Sequence, residues 1–243
     1  MKDIRDIDTM QQSDPAARVN LGIFVKEPRP GTVKTRLARG IGAAAAADLY
    51  RAFVVDTLTL ALNSPARHCR IFHAGPPLTS WLADPWPPSE SSRFSESAQP
   101  EGDLGARLDG AFEAGPTPML ILGSDSPDLP ATHIRSALDA LAAGASLVLG
   151  AVEDGGVWCI GLRRPHPDLF HAIPWSSPAT GDALRNRADE LGLNRAEIAP
   201  WYDCDLKEDL DALALRLRQH PDDATMTRRC LRLHEPEPGP EST

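Results

Sequence analysis

The chain has 243 residues, 42% of them apolar and 24% charged, with a formal net charge of −9. That length suits one domain with a large core or two small ones, and the acidic balance argues against a general nucleic-acid binder, which needs a basic face for phosphates. Cys69, Cys159, Cys204 and Cys230 are scattered without a C-x-x-C pair, so they read as reduced thiols of a cytoplasmic protein. The polar start MKDIRDIDTMQQSD has no apolar signal region, and no run nears the roughly 18 apolar residues of a membrane span.

Residues 1–18 are expected to form a flexible polar tail. Val19–Val25 (VNLGIFV) predicts a first strand buried on both faces, followed by a loop rich in Pro, Gly and cations, Lys26–Gly40. Ala43–Leu62 predicts a long helix, with Leu49, Phe53, Leu58 and Leu62 near helical spacing. His68–His73 predicts a second strand. Gly75–Gln99 is rich in Pro, Ser and Trp without a period, which suggests a loop with one helical turn at Leu78–Leu82. Gly102–Ala114 is an amphipathic helix through Leu104, Leu108 and Phe112. The short apolar run Met119–Leu122 predicts a buried central strand. Gly123 ends it, and Pro130 opens a helix through Ala131–Ala143.

Ser146–Ala151 and Val157–Leu162 predict two further strands around Glu153-Asp154-Gly155-Gly156. Leu169–Trp175 carries a weak signal, and Pro178–Leu191 is helical. Glu197–Ala199 predicts a short strand before Trp201–Asp205. Leu206–Gln219 is a helix with Leu206, Leu210, Leu213 and Leu217 on one stripe, Asp222–Leu233 suggests a last one, and the Pro/Glu-rich end is expected to be a tail from residue 234 on. Alternating strands and helices imply an α/β fold, a mainly parallel sheet with helices on both sides, as one domain over residues 19–233.

Five stretches could carry chemistry. In GSDSPDLP, Asp125 stands on the loop after a buried strand, at the sheet edge where open α/β folds bind ligands. It is a candidate metal ligand, although Ser-Asp-Ser-Pro-Asp is also turn chemistry. In PRPGTVKTRL, Gly31 allows close approach of backbone N–H groups, and Lys34 and Arg36 suit phosphate oxygens. Val33 stands where a Walker A loop needs glycine. In EGDLGARL, Asp103 is either a helix cap or a ligand contact. In EDGGVWCIGL, Asp154 is a candidate for acceptor binding or a general base, with Gly155 and Gly156 offering close backbone approach; a plain hairpin turn is the alternative. In WYDCDLKEDL, Asp203 and Asp205 alternate, so both point one way in an extended segment and can complete a Mg²⁺ or Mn²⁺ site with Asp125. Asp205 is also a candidate N-cap, with Glu208 closing a capping box. Asp125 and Asp128 are three apart, so Asp125 alone of that pair is assigned to the metal.

KEPRPGTVKTRLA, EGDLGARL, GSDSPDLP, EDGGVWCIGL and WYDCDLKEDL, in this order, resemble the radical-SAM/selenodomain-associated transferase family, also labelled arsenosugar-biosynthesis glycosyltransferases. The resemblance spans Lys26–Leu210. It implies the nucleotide-diphospho-sugar transferase (GT-A) fold, a three-layer α/β/α sandwich with a mainly parallel mixed sheet. It also implies a metal-dependent transferase with a nucleotide-bound donor, in which Lys34 and Arg36 meet phosphates, Asp125 the metal, and Asp203 or Asp205 the second metal contact. After Asp-Gly-Gly the family usually has Tyr-Tyr-Leu-Ile-Gly-Leu. Here Val157-Trp158-Cys159-Ile160-Gly161-Leu162 stands there, so Trp158 becomes a candidate acceptor contact and the acceptor can differ.

Three functions follow from this reading. The first is glycosyl transfer from a nucleotide-sugar to a small-molecule acceptor, with Mg²⁺ or Mn²⁺ on the diphosphate and Lys34 and Asp154 as catalytic candidates. The second is nucleotidyl transfer from a nucleoside triphosphate to a phosphorylated acceptor, which a loop with several cations would serve. The third is a nucleotide-binding module without turnover. No nucleic-acid or membrane partner is expected.

Overall fold

The computed structural model describes residues 14–82 and 93–232. The expected C-terminal tail, and the expected N-terminal tail up to residue 13, lie outside these residues. Residues 14–18 do not behave as a tail: Pro15–Arg18 is a 3-10 turn capped by Asp14, Ala16 is fully buried, and Asp14 pairs with Arg135 at 2.8 Å. The apolar Ala16 and Val19 pull this segment onto the core.

Seven strands form one sheet: β1 (Asn20–Lys26), β2 (Cys69–Ala74), β3 (Phe94–Ala98), β4 (Met119–Leu122), β5 (Leu147–Val152), β6 (Val157–Leu162) and β7 (Arg195–Trp201). Their order is β3-β2-β1-β4-β6-β5-β7. β6 runs antiparallel to β4 and β5, and the other pairs are parallel. β3 falls in a stretch expected to be loop. Its sequence, FSESA, lacks an apolar stripe, and its place comes from pairing with β2 at the sheet edge. β7 is longer than expected and tolerates Pro200 because it too is an edge strand.

The helices are α1 (Ala43–Leu62), α2 (Leu104–Ala114), α3 (Ala131–Ala142), α4 (Thr180–Glu190), α5 (Lys207–Gln219) and α6 (Thr225–Cys230), with a single helical turn at Ala38–Ile41. Strand side chains alternate between two cores, as the period of two requires. Leu120, Leu122 and Val148 join one core with α1, α3 and α5. Met119, Ile121, Leu147 and Leu149 join the other with α2 and α4. The sheet is thus the middle layer of three. In α5, Leu210, Leu213 and Leu217 are buried as the stripe predicts, whereas Leu206 precedes the helix and is 45% exposed. No helix among the described residues is long and apolar enough to cross a membrane.

This topology sets the site. β1, β4, β5 and β7 end at one edge of the sheet, and β6 starts there. The loops at 27–37, 123–130, 153–156 and 202–206, each nominated on its own residues, therefore share that edge.

Candidate functional site

Lys34 is the cation on which the loops converge. Its side chain is only 3% exposed, and its ammonium lies 2.5 Å from Asp125 Oδ1 and 3.0 Å from Asp205 Oδ1. The ring of Phe53 on α1 faces the same ammonium, 5.6 Å from its centroid. Burial by itself would lower the Lys34 pKa, but the two carboxylates outweigh it and the pKa is raised. The backbone at Lys34 is left-handed, with φ +46°. That conformation costs a residue with a Cβ roughly 1–2 kcal/mol, and the two ion pairs hold it in place.

The carboxylate loops are stitched to each other. Cys204 N donates to the carbonyl of Asp125 at 3.0 Å, and Ser126 Oγ donates to Asp203 Oδ1 at 2.7 Å. Tyr50 OH lies 2.8 Å from Ser124 Oγ and accepts from Lys26 N, tying the loop after β4 to the end of β1. Burial, helped by the charge of Asp125, pushes the Tyr50 hydroxyl up to about 12. The Asp203 carboxyl is pushed up to about 7, first by burial and then by the like charge of Asp125, against the opposing Ser126 hydroxyl and Lys34.

Beside these groups lies a pocket of about 180 Å³ whose lining includes Arg36, Asp154, Tyr202, Asp203, Asp205 and Arg216. It unites two guanidinium groups, several carboxylates and an aromatic ring. Arg216 and Tyr202 carried no sequence signal for a site. Arg216 donates to Asp128 Oδ2 at 2.6 Å and stacks 4.8 Å from the Tyr202 ring centroid. Asp128 is buried and accepts from both Arg216 and Trp201 Nε1.

Several expectations need correction. The loop composition suggests a mobile phosphate cation at Lys34, yet this side chain is buried beneath the two carboxylates because they compensate its charge where water cannot. Trp158, expected at the acceptor, is 4% exposed and donates through Nε1 to Ala199 O; it belongs to the core. Gly150 makes room for that ring, since a Cβ there would lie 2.2 Å from Trp158 Cε2. The close approach at Gly155 is to the chain itself: φ is +90°, a Cβ would meet Pro178 O at 2.0 Å, and Gly181 N donates to Gly155 O. Gly156 N donates to Asp154 Oδ1 at 3.0 Å, the turn that sets Asp154 on the pocket rim. Asp103 caps α2 through Ala106 N at 2.9 Å. Gly31, φ +82°, sits in an open stretch of its loop, and neither it nor Asp103 lines the pocket. The expected capping box of Asp205 and Glu208 is replaced by Asp209, whose Oδ2 accepts from Asp205 N and Leu206 N. The Asp205 carboxylate is thereby left to Lys34.

Among the described residues no three His, Cys, Asp or Glu side chains are grouped so that they could hold a metal ion between them. The donor chemistry instead fits a hard divalent cation held more openly. Asp125 and Asp203 are close enough for one charge to perturb the other, and two carboxylates plus ligand phosphate oxygens are the usual setting for Mg²⁺.

Comparisons with known proteins agree with the architecture. Residues 57–177 match the family model described as "Uncharacterized protein conserved in bacteria (DUF2064)", a span that holds Asp103, Asp125 and Asp154 but not Lys34, Arg36 or Asp203. A crystal structure from Desulfovibrio desulfuricans G20, provisionally named a nucleotide-diphospho-sugar transferase, is 28% identical. It aligns over 89% of this chain and 94% of its own, with a TM-score of 0.74. Two distant likenesses are CMP:2-keto-3-deoxy-manno-octonic acid synthetase complexed with CTP and Rv0371C complexed with manganese from Mycobacterium tuberculosis H37Rv. The first is 10% identical, over 83% of this chain and 98% of its own, with a TM-score of 0.49. The second is 13% identical, over 80% and 96%, with a TM-score of 0.41. At those scores they mark a remote likeness of topology and nothing more. No curated protein matches the chain by sequence. The chain has an α/β fold with a mixed seven-stranded sheet, the fold of the nucleotide-diphospho-sugar transferase structure it matches.

Proposed function

We propose that this chain is a transferase that binds a nucleotide-linked donor at the carboxyl edge of its sheet, and that it moves a sugar from a nucleotide-diphospho-sugar to a small acceptor. The observation that carries this reading is the convergence of Asp125, Asp203 and Asp205, from two distant loops, around Lys34 and beside the pocket of Arg36 and Asp154. The name given to the Desulfovibrio protein supports the donor class. The narrower kinship with the radical-SAM/selenodomain-associated transferases, resting on the five motifs, is part of the same proposal.

Asp125 and Asp203 would hold Mg²⁺ or Mn²⁺, which when bound neutralises a diphosphate leaving group. Lys34 acts as a positioning residue: it fixes the directions of Asp125 and Asp205 and offsets their repulsion. Arg36 presents its guanidinium to phosphate oxygens in the pocket. Asp154, held on the rim by its own turn, accepts a hydrogen bond from the acceptor hydroxyl and takes its proton as the new bond forms.

The disposition of Lys34 favours glycosyl over nucleotidyl transfer. A triphosphate tail calls for several cations, and Lys34 is already committed to two carboxylates, which leaves Arg36 as the cation of that loop on the pocket. The test is a screen of nucleotide-sugars and nucleoside triphosphates with Mn²⁺. Release of nucleoside diphosphate, abolished in Asp125→Ala, is the expected result. Pyrophosphate release assigns nucleotidyl transfer. Nucleotide binding without turnover of any donor leaves the binding module as the function.

A further inference from the structure

A second cleft lies at the opposite edge of the sheet. Ser146, Leu162, Arg163, Arg164, His166 and Leu193 line a cavity of about 390 Å³, where β5 begins and β6 ends. β5 runs from Leu147, beside this cleft, to Val152 on the lining of the carboxyl-edge pocket. Six residues at about 3.3 Å each put the two roughly 20 Å apart. They are separate sites.

The charge of this cleft runs against that of the chain. The protein is acidic overall, yet the lining carries two guanidinium groups, an imidazole and a hydroxyl, with no carboxylate. Nearby arginines are neutralised: Arg185 pairs with Asp182 and Glu197, Arg187 with Glu190, and Arg195 with Asp189 and Glu197. Among the described residues Arg163 and Arg164 have no ion pair, and Arg163 Nη1 donates only to Gly144 O, at 3.3 Å. His166 Nδ1 is buried and has no hydrogen-bond partner in the protein. A ring nitrogen left so is an unsatisfied group, and an oxygen of a ligand in the cleft would partner it once the imidazole turns outward. Leu162 and Leu193 supply apolar wall on the same lining.

We propose that this cleft binds a small phosphorylated molecule, with Arg163, Arg164 and His166 on the phosphate and Leu162 and Leu193 against the organic part. Forked guanidinium groups match phosphate oxygens two at a time, and the apolar wall favours a phosphate ester over the free ion. This inference is independent of the transferase reading.

Calorimetric titration of the full chain with inorganic phosphate, phenyl phosphate and acetate tests it. The Arg36→Ala chain is titrated in parallel, to silence phosphate binding at the carboxyl-edge pocket. The expected result is that Arg36→Ala still binds phosphate, binds phenyl phosphate several-fold more tightly, and binds acetate more weakly. Adding Arg163→Ala or Arg164→Ala should then cost about ten-fold or more in affinity, and adding Arg67→Ala, an exposed arginine elsewhere, should cost nothing. Both cleft arginines are exposed, so these variants should keep the parent melting temperature. Loss of all phosphate binding in Arg36→Ala would overturn the proposal. So would affinity unmoved by the cleft variants, acetate binding as tight as phosphate, or no binding of either phosphate probe at millimolar concentration.

Discussion

Replacing Lys34 with methionine removes the ammonium while keeping an unbranched apolar stem against Phe53. At separations of 2.5 and 3.0 Å, each ion pair has a gross attraction of about 6 kcal/mol at an effective dielectric of roughly 20. Desolvating the buried ammonium takes back several kcal/mol. Asp125 and Asp205 are 45% and 44% exposed, so water screens much of what is left. The variant also leaves Asp125, Asp203 and Asp205 repelling one another. The net loss is placed at roughly 2–4 kcal/mol, a fall of about 5–15 °C in Tm for a chain of this size. Because the folded pKa of Lys34 is raised, its contribution is fully present at every pH below the unfolded value of 10.5 and fades only above it. Thermal melts near neutral pH are the assay, with Asp125→Asn and the double variant completing a cycle. The double variant should be less destabilised than the sum of the singles by about 1 kcal/mol or more. A Lys34→Met protein that melts within about 2 °C of the parent, or a cycle additive to within about 0.5 kcal/mol, would refute the account of Lys34 as the buried counter-charge.

Asp203, pushed up to about 7, favours the protonated form in the folded state. Its stabilising contribution is complete below the unfolded value near 3.8 and is lost as pH rises through about 7, so the ligand-free protein should be less stable at about pH 8 than at about pH 5.5, by at most roughly 2 kcal/mol. Asp203→Asn should flatten that slope, and an unchanged slope would remove Asp203 as its source. Gly150→Ala should cost about 3 kcal/mol through the collision with Trp158, with a shift in tryptophan fluorescence, and Trp158→Leu should relieve part of it. Asp56 accepts from Met226 N, Thr227 N and Thr227 Oγ1, so Asp56→Ala should free α6 at a cost of roughly 2–4 kcal/mol. Hydrogen exchange would show it as lost protection in α6 with β1 and β4 unaffected; intact α6 protection would contradict the role given to Asp56.

Elements whose signal is local were legible in the amino-acid order. Met119–Leu122 has an apolar run bounded by glycine, and α1 and α3 have long stripes with clear starts, so hydrophobic periodicity sufficed. Their alternation also dictated a sheet between two helix layers, which placed the loops after β1, β4, β5 and β7 on a common edge. β3 escaped because Phe94–Ala98 carries no strong apolar signal and its place is set by pairing with β2.

For the site, the amino-acid order was enough to nominate carboxylates on the edge loops and the cationic loop after the first strand, since loops that follow buried strands of such a sheet gather at its ligand-binding edge. It could not say which charge would be buried. Burial is a property of what packs on top, and only the assembled loops show Lys34 sealed under Asp125 and Asp205, Trp158 turned into the core under Gly150, and Asp209 taking over the helix cap. The second cleft was likewise out of reach, because Ser146, Arg163, His166 and Leu193 become neighbours only when β5 and β6 pair antiparallel and the chain before β7 returns alongside them.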